Sequence, residues 1–507
     1  MSPGIATIVY VLGIVGLFIL DRDRKSRTSG ALWIPVVWML IAGSRPVSLW
    51  FQTGNSLTSA EKVNIESNPV NVVVFSALLA VGVIVLAGRA ARVSRLLQAD
   101  WPIPLFFIYC AISAVWSDYP GASFRHWIRS LGDPAMVLIV LTESEPPAAL
   151  KRIFTRTGFL LVPLSVLLIK YYPNLGRAYS NDFELMYTGV TDHKNSLGGI
   201  CFVFGLGFSW SLLEHYRSKE EFHRSRRLLA HGAILATTMW LLWMANSVTS
   251  SSCFAIGAIL FAATSLSVHG RRVVVMHTLV AALVSAYFFA LFLDSGGVLV
   301  TSLGRNPSLT GRTEIWSQVL KMAGNPVVGT GFESFWLGDR LKEFWDNNTG
   351  SQINEAHNGY LEVYLNLGWI GVALLAALIV KGYHNIVSSF HRDIHLGGLR
   401  LGYFVAMMVY NFTEAGFRMS SFTWIFLLLL TFPVRSTPAP KSGAERAFDE
   451  VPHSRGSQDI WFPIEVFDRG DYNLSAASPP AGVPRQRFDE SFFHEGRAAL
   501  PADDSDS

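Results

Sequence analysis

The sequence predicts an all-α fold: a polytopic transmembrane helical bundle of about twelve to thirteen spans, with a long outer-face loop and a disordered cytoplasmic tail. Three observations carry this reading. Hydrophobic residues make up 50% of the 507 and charged residues only 16%, whereas ordinary soluble domains are about a quarter charged. Mean hydropathy is +0.33. Apolar segments recur along most of the chain, and basic residues gather in alternate loops between them.

The apolar segments run over 4–20, 31–43, 70–88, 103–116, 134–141, 153–169, 197–213, 230–245, 253–268, 273–293, 369–380, 401–410 and 422–434. A full span needs about 20 apolar residues, fewer where flanking side chains reach the interface. The first segment has no basic residue before it, and Arg22, Arg24, Lys25 and Arg27 after it. A cleaved leader shows the opposite order, so this segment reads as a retained span with its N-terminus outside. With that orientation the inside loops carry Arg89, Arg92 and Arg95, then Lys151 and Arg152, then Arg217 to Arg227, then Arg271 and Arg272, and finally Lys381, Arg392 and Arg400. Most of the alternate short loops are poorer in Lys and Arg, as the positive-inside rule requires.

Residues 1–434 are therefore expected to form one membrane domain. Within it, 294–368 is a long outer-face loop with helix-like segments of its own at 314–322 and 357–367. Loops of that length usually serve a function. Residues 435–507 are Pro-, Ser-, Asp- and Arg-rich and read as a disordered cytoplasmic tail. The net charge of +3 is spread over short clusters, which excludes a nucleic-acid footprint. Cys110, Cys201 and Cys253 all lie in apolar runs and read as small buried hydrophobes, with no disulfide framework and no CxxC spacing.

Three outer-face stretches share one physical design. In Thr310-Gly311-Arg312-Thr313-Glu314-Ile315-Trp316, Thr310 is an expected N-cap. That places Arg312 in a first helical turn, where a guanidinium beside free backbone N–H groups suits a phosphate or diphosphate. The second stretch, Gly189-Val190-Thr191-Asp192-His193-Lys194-Asn195, leads into a span. The third, Glu355-Ala356-His357-Asn358-Gly359-Tyr360-Leu361-Glu362, opens a helix. Arg125 and Arg129 lie one turn apart on one expected helix face. Taken singly, each has a structural reading: basic residues at span ends touch lipid headgroups, and a lone histidine is more often a hydrogen-bonder than a catalyst. Their convergence on the face otherwise poor in basic residues favours a functional site. No metal-ligand spacing stands out there, and neither a metal nor a cofactor is expected. Asp21-Arg22-Asp23 imitates a glycosyltransferase DxD but sits on the inner face within a basic cluster, and is discounted.

The Gly-Arg at 311–312, the His357-Asn358-Gly359-Tyr360-Leu361 stretch and Gly368-Trp369-Ile370-Gly371 leading into a span resemble the O-antigen ligase and polysaccharide polymerase superfamily. Asp192-His193-Lys194-Asn195 is similar to the exopolysaccharide-polymerase branch, which carries a comparable His-Lys-Asn. The resemblance covers roughly residues 40–432, and the extra first span and the tail depart from it.

The resemblance implies metal-independent glycosyl transfer on the periplasmic face of the bacterial inner membrane. The donor would be a glycan linked through diphosphate to undecaprenol, arriving from the membrane lipids. The acceptor would be another lipid-linked repeat unit (polymerase) or a lipid A core (ligase), and a chain-length regulator is an expected partner. Arg312 and Arg125, with Arg129 and Lys194, are assigned to the diphosphate. His357 would activate the acceptor hydroxyl or hydrogen-bond the leaving group, with Glu362 and Glu355 as alternative bases. His193, Asn195 and Asn358 are expected in supporting roles. The rival from another class is a transporter or flippase of lipid-linked sugars. Transporters place ionisable groups near the bilayer midplane, whereas here such groups gather at one edge, Glu414 near a span end being the nearest exception.

Overall fold

The computed structural model describes residues 1–22, 28–51, 68–179, 183–217, 221–266, 273–293, 309–348, 353–390 and 394–433. The expected tail and residues 294–308 of the long loop lie outside these. The described chain is helical almost throughout, with one small antiparallel hairpin in which Arg177–Tyr179 pairs with Leu185–Tyr187.

Seven helices are long and apolar enough to cross a membrane, or eight if the pair Ala90–Ala99 and Pro102–Ser113, bent by 92°, forms one span. The protein is thus a multi-pass membrane protein. The shortfall from a dozen full-length helices has a physical cause. Gly132–Leu141 and Phe422–Thr431 have only 10 residues each, and every residue in both is buried. A short apolar helix walled by other helices need not match the bilayer thickness. The peripheral helices are the reverse. The most apolar window of Pro3–Leu20 is 11% buried and that of Pro69–Ala87 is 17%, so their Ile, Val and Leu side chains face lipid rather than protein.

Helix starts follow simple chemistry. Proline occupies the first turn of Pro3–Leu20, Pro69–Ala87, Pro102–Ser113, Pro120–Ser130 and Pro146–Tyr171, where the missing N–H is not needed. Asn68 caps Pro69–Ala87 by accepting from the Val70 N–H at 3.0 Å. Gly132 admits the Trp38 ring, which would lie 1.9 Å from a Cβ placed there. Trp38 in turn donates from Nε1 to Asp133 at 2.9 Å.

Two ends of the bundle differ in content. One gathers the basic loops. Ser29 donates from N and Oγ to Glu143 at 2.8 and 2.6 Å, Arg89 reaches the same carboxylate at 2.7 Å, and Arg92 donates to the Thr142 carbonyl at 2.7 Å. Lys151 meets Glu214 and Arg152 meets Thr28 at this end. The other end holds the described part of the long loop. Its helices Leu309–Lys321 and Gly338–Asn347 enclose a small core of Val319, Phe335, Trp336, Leu341, Phe344, Ala356 and Leu365.

This loop is stitched to the membrane helices at Gly368. There φ is +62° and ψ −165°, which breaks the long helix Gly359–Phe390. A Cβ would lie 2.3 Å from the Val327 carbonyl carbon, so only glycine fits. Backbone groups flanking the break find partners in the loop. Thr330 N–H donates to Leu365 O, Gly331 to Asn366 O, Trp369 to Pro326 O and Ile370 to Val327 O, at 2.8–3.1 Å. The break is thereby satisfied at depth rather than left open.

Candidate functional site

A cavity of about 1280 Å³ opens at the loop end. Its chemistry centres on Glu414, which follows directly on the helix Ile394–Thr413. Glu414 Oε1 accepts from Arg312 Nη2 at 2.8 Å and from Asn195 Nδ2 at 2.9 Å. Its Oε2 lies 3.6 Å from His357 Nδ1. His357 Nδ1 is closer still, 2.8 Å, to Glu355 Oε1. This 2.8 Å contact is an ion pair. Arg418 continues the chain of charges, with Nη1 3.6 Å from Glu355 and Nε 3.8 Å from Glu333.

Electrostatics fix the protonation of the central pair. Burial alone would lower the His357 pKa, but Glu355 and then Glu414 outweigh it and raise it from 6.5 to about 10. Burial would raise Glu355, and His357 followed by Arg418 and His193 brings it down to about 2. At neutral pH the site therefore holds an imidazolium against a carboxylate.

Backbone strain concentrates here too. His357 (φ +49°), Glu333 (+50°) and Ser420 (+55°) are non-glycine residues in the left-handed region, and all three line the cavity. Each such residue costs about 1–3 kcal/mol and is found mostly where function demands a particular side-chain direction.

The sequence-expected residues divide sharply. His357, Glu355, His193, Asn195 and Arg129 line the cavity. Arg312 does not line it but joins the charge network through Glu414. It sits in the first turn of Leu309–Lys321, and that helix begins at Leu309, so Thr310 lies within the helix rather than at its N-cap. Arg129 stacks its guanidinium 4.1 Å from the Phe75 ring centroid and makes no ion pair among the described residues. Arg125, one turn away, is exposed and outside the cavity lining, and Lys194 is half-buried and outside it too. His193 Nδ1 accepts from the Asn195 N–H at 3.2 Å.

Two expected residues hold structure instead of facing the cavity. Asn358 caps the Gly359–Phe390 helix, accepting from the N–H of Tyr360 at 3.1 Å and of Leu361 at 3.0 Å. Glu362 is 3% exposed. It accepts from Trp336 Nε1 at 2.9 and 3.0 Å and from the Ala356 N–H, which ties the Glu355–His357 turn to the loop core. Glu362 does not line the cavity, whereas Glu414 does.

Sequence reasoning missed Glu414 as the hub, and with it Glu333, Arg418 and Arg45. Arg45 donates to the carbonyls of Leu175, Gly189 at 3.3 Å and Thr191 at 3.1 Å, which sets the path of the chain into His193. One signal for Glu414 existed. It is an acidic residue at the edge of an otherwise apolar segment, four residues before Arg418.

Residues 231–376 match the family described as O-antigen ligase. This stretch carries an O-antigen ligase family domain. It contains Arg312, Glu355, His357 and the Gly368 break; Glu414, Arg418, His193 and Arg129 lie beyond it. The chain is also similar to the exopolysaccharide production protein ExoQ of Rhizobium meliloti (strain 1021), with 24% identity over 286 residues. That alignment covers 55% of this chain and 63% of the relative, so the chain spans less than two thirds of the length of ExoQ. Both likenesses agree with the superfamily that the sequence motifs resemble: one is to an O-antigen ligase family, the other to a protein named for exopolysaccharide production.

Proposed function

We propose that this protein is an inner-membrane glycosyltransferase that polymerises undecaprenyl-diphosphate-linked repeat units, with the cavity on the periplasmic face. The observation that carries the reading is the Glu355–His357–Glu414–Arg312 cluster beside a cavity about 1280 Å³ in volume. Anions and cations are held there side by side, as displacement of a diphosphate from a sugar demands.

In the proposed step the acceptor hydroxyl attacks the anomeric carbon, and the bond from that carbon to the diphosphate oxygen breaks. The diphosphate leaves with the electron pair. Its growing charge falls to fixed cations, which need no reorganisation as the bond breaks. Arg129, which lines the cavity and makes no ion pair among the described residues, is the first of these. His357 as an imidazolium is the second, and this favours a role at the leaving group over a role as hydroxyl base. Arg312 is the third; the diphosphate competes with Glu414 for its guanidinium. The acceptor proton passes to a carboxylate of the cluster, and Glu414 is the one in contact with Arg312, Asn195 and His357. The positioned cations do the work for which other transferases use a divalent ion. The carboxylates of Glu355, Glu414 and Glu333 are each already set against a guanidinium.

The likeness to a protein named for exopolysaccharide production, a product not attached to a lipid A core, and the His193-Lys194-Asn195 stretch favour polymerase over ligase. The glycan of a deletion strain tests this. Single repeat units left on undecaprenol support a polymerase, and full-length polymer stranded on undecaprenol would identify a ligase. Complementation with His357→Ala and Arg129→Ala, at wild-type expression, tests the site. Polymer of normal length and yield from both would overturn it.

A further inference from the structure

Asp21, His215 and His231 lie at the end of the bundle opposite the cavity. The helix Lys194–Arg217 shows the distance, since Asn195 at its start belongs to the cavity and His215 sits in its last turn. Twenty residues of helix separate them by about 30 Å. His231 is 1% exposed. Its Nε2 is 2.8 Å from Asp21 Oδ1, while its Nδ1 is buried with no partner. The His215 ring stands edge-on to it, centroids 4.8 Å apart. One ligand atom from each of the three residues lies within 4.8 Å of the other two. The proposed glycosyl transfer uses none of them.

We propose that Asp21, His215 and His231 form a binding site for a divalent transition metal of the zinc class. Two imidazoles and one carboxylate are the donor set such ions select, with positions left for water. The spacing is near what an ion needs. Two neighbouring ligands about 2.1 Å from a tetrahedral ion sit about 3.4 Å apart, so the 2.8 Å contact between Asp21 and His231 has to open by about half an ångström to admit one. Asp21 touches no lysine or arginine among the described residues, its one ion contact being His231. Arg227 and Lys151 lie near enough to act on His215, which holds cation affinity below that of an isolated triad. Lys151 is itself engaged by Glu214.

The site joins three helices. Asp21 ends Pro3–Leu20, whose outer surface is almost wholly unburied by protein, while His215 and His231 stand on Lys194–Arg217 and Glu221–Ala245. A bound ion would staple the loosely packed first helix to the bundle. Metal binding of this kind couples directly to stability, since only the folded chain brings the ligands together.

The test uses the full chain purified in detergent, stripped with EDTA and titrated with Co²⁺ and Zn²⁺. The expected result is one tightly bound equivalent, ligated by nitrogen and oxygen in X-ray absorption, and a Tm raised by Zn²⁺. Affinity should fall more than about tenfold in Asp21→Asn and in His215→Gln, and remain unchanged in Glu355→Gln at the cavity end. Failure of the wild-type protein to bind one equivalent would overturn the proposal. So would binding that survives the Asp21→Asn/His215→Gln double variant, or that is lost only in Glu355→Gln. Should a variant fail to fold, the ligand set seen by X-ray absorption on the wild type decides alone.

Discussion

The molecule carries two groups of histidine and carboxylate, one at each end of the bundle, built from nearly the same residue types. At the cavity end Glu355, His357 and Glu414 are laced to Arg312 and Arg418. At the basic end Asp21 has His231 as its ion contact among the described residues, and Arg227 and Lys151 act on His215 only as nearby charges. A guanidinium occupies a carboxylate in a planar fork, fixes its charge and removes it from competition for a metal. In the proposed reaction the first cluster is a preset pattern of charge that meets an anionic leaving group. The second keeps its donor atoms available to a cation. Residue type alone does not assign chemistry; the neighbours do.

The sharpest way to break this comparison is to remove Glu414. Its side chain is 7% exposed and it receives Arg312, Asn195 and His357. Leaving Arg312 and His357 without this counter-charge, and the Asn195 amide without its acceptor, should cost about 3–5 kcal/mol of stability. Glu414→Ala is therefore expected to abolish polymer formation and to lower Tm by several degrees, read by thermal unfolding in detergent. Glu414→Gln keeps the shape and should retain most of the stability while losing activity.

His357→Gln comes next. A single positioned donor or acid contributes roughly 10²-fold or more, and the loss should appear in the rate of chain extension in vitro rather than in protein yield. Arg129→Ala follows, with a loss of about tenfold or more expected chiefly as weaker donor binding. No ion pair among the described residues is broken by it, only the stacking on Phe75, so Tm should move less than in Glu414→Ala. A normal affinity for the lipid-linked donor in this variant would remove Arg129 from the site.

The pH dependence of stability separates the pair electrostatically. The folded His357 pKa is raised from 6.5 to about 10. Its contribution is therefore fully present below pH 6.5 and is lost as pH rises through about 10. Glu355 is lowered from 4.5 to about 2, so its contribution is present above pH 4.5 and is lost as pH falls through about 2. Tm should decline from pH 7 to 10 in the wild type and stay flatter in His357→Gln; parallel curves would refute the ion-pair assignment. The smallest effect belongs to the other end. Asp21→Asn should change polymer yield by less than about twofold, since about 30 Å separates it from the cavity; a large loss would mean that the two ends are coupled.

Much of this protein was written locally. Apolar composition and alternating basic loops determined a multi-pass helical membrane protein, because a bilayer leaves the backbone few other options. The short motifs around Arg312, His357 and His193 also pointed to one face, since helix starts and span ends are legible from a few residues. What only the tertiary structure decided is which side chains meet. Glu362 looked like a base from its place after His357, yet it turns inward to Trp336 and Ala356. Arg125 and Arg129 looked equivalent, yet one is exposed and the other lines the cavity. Glu414 and Arg418 are separated from Arg312 by about a hundred positions, and no local pattern ties them together. The number of full-length spans was beyond local reading for the same reason. Whether a ten-residue apolar helix faces lipid or other helices depends on what packs around it, and that is a property of the whole bundle.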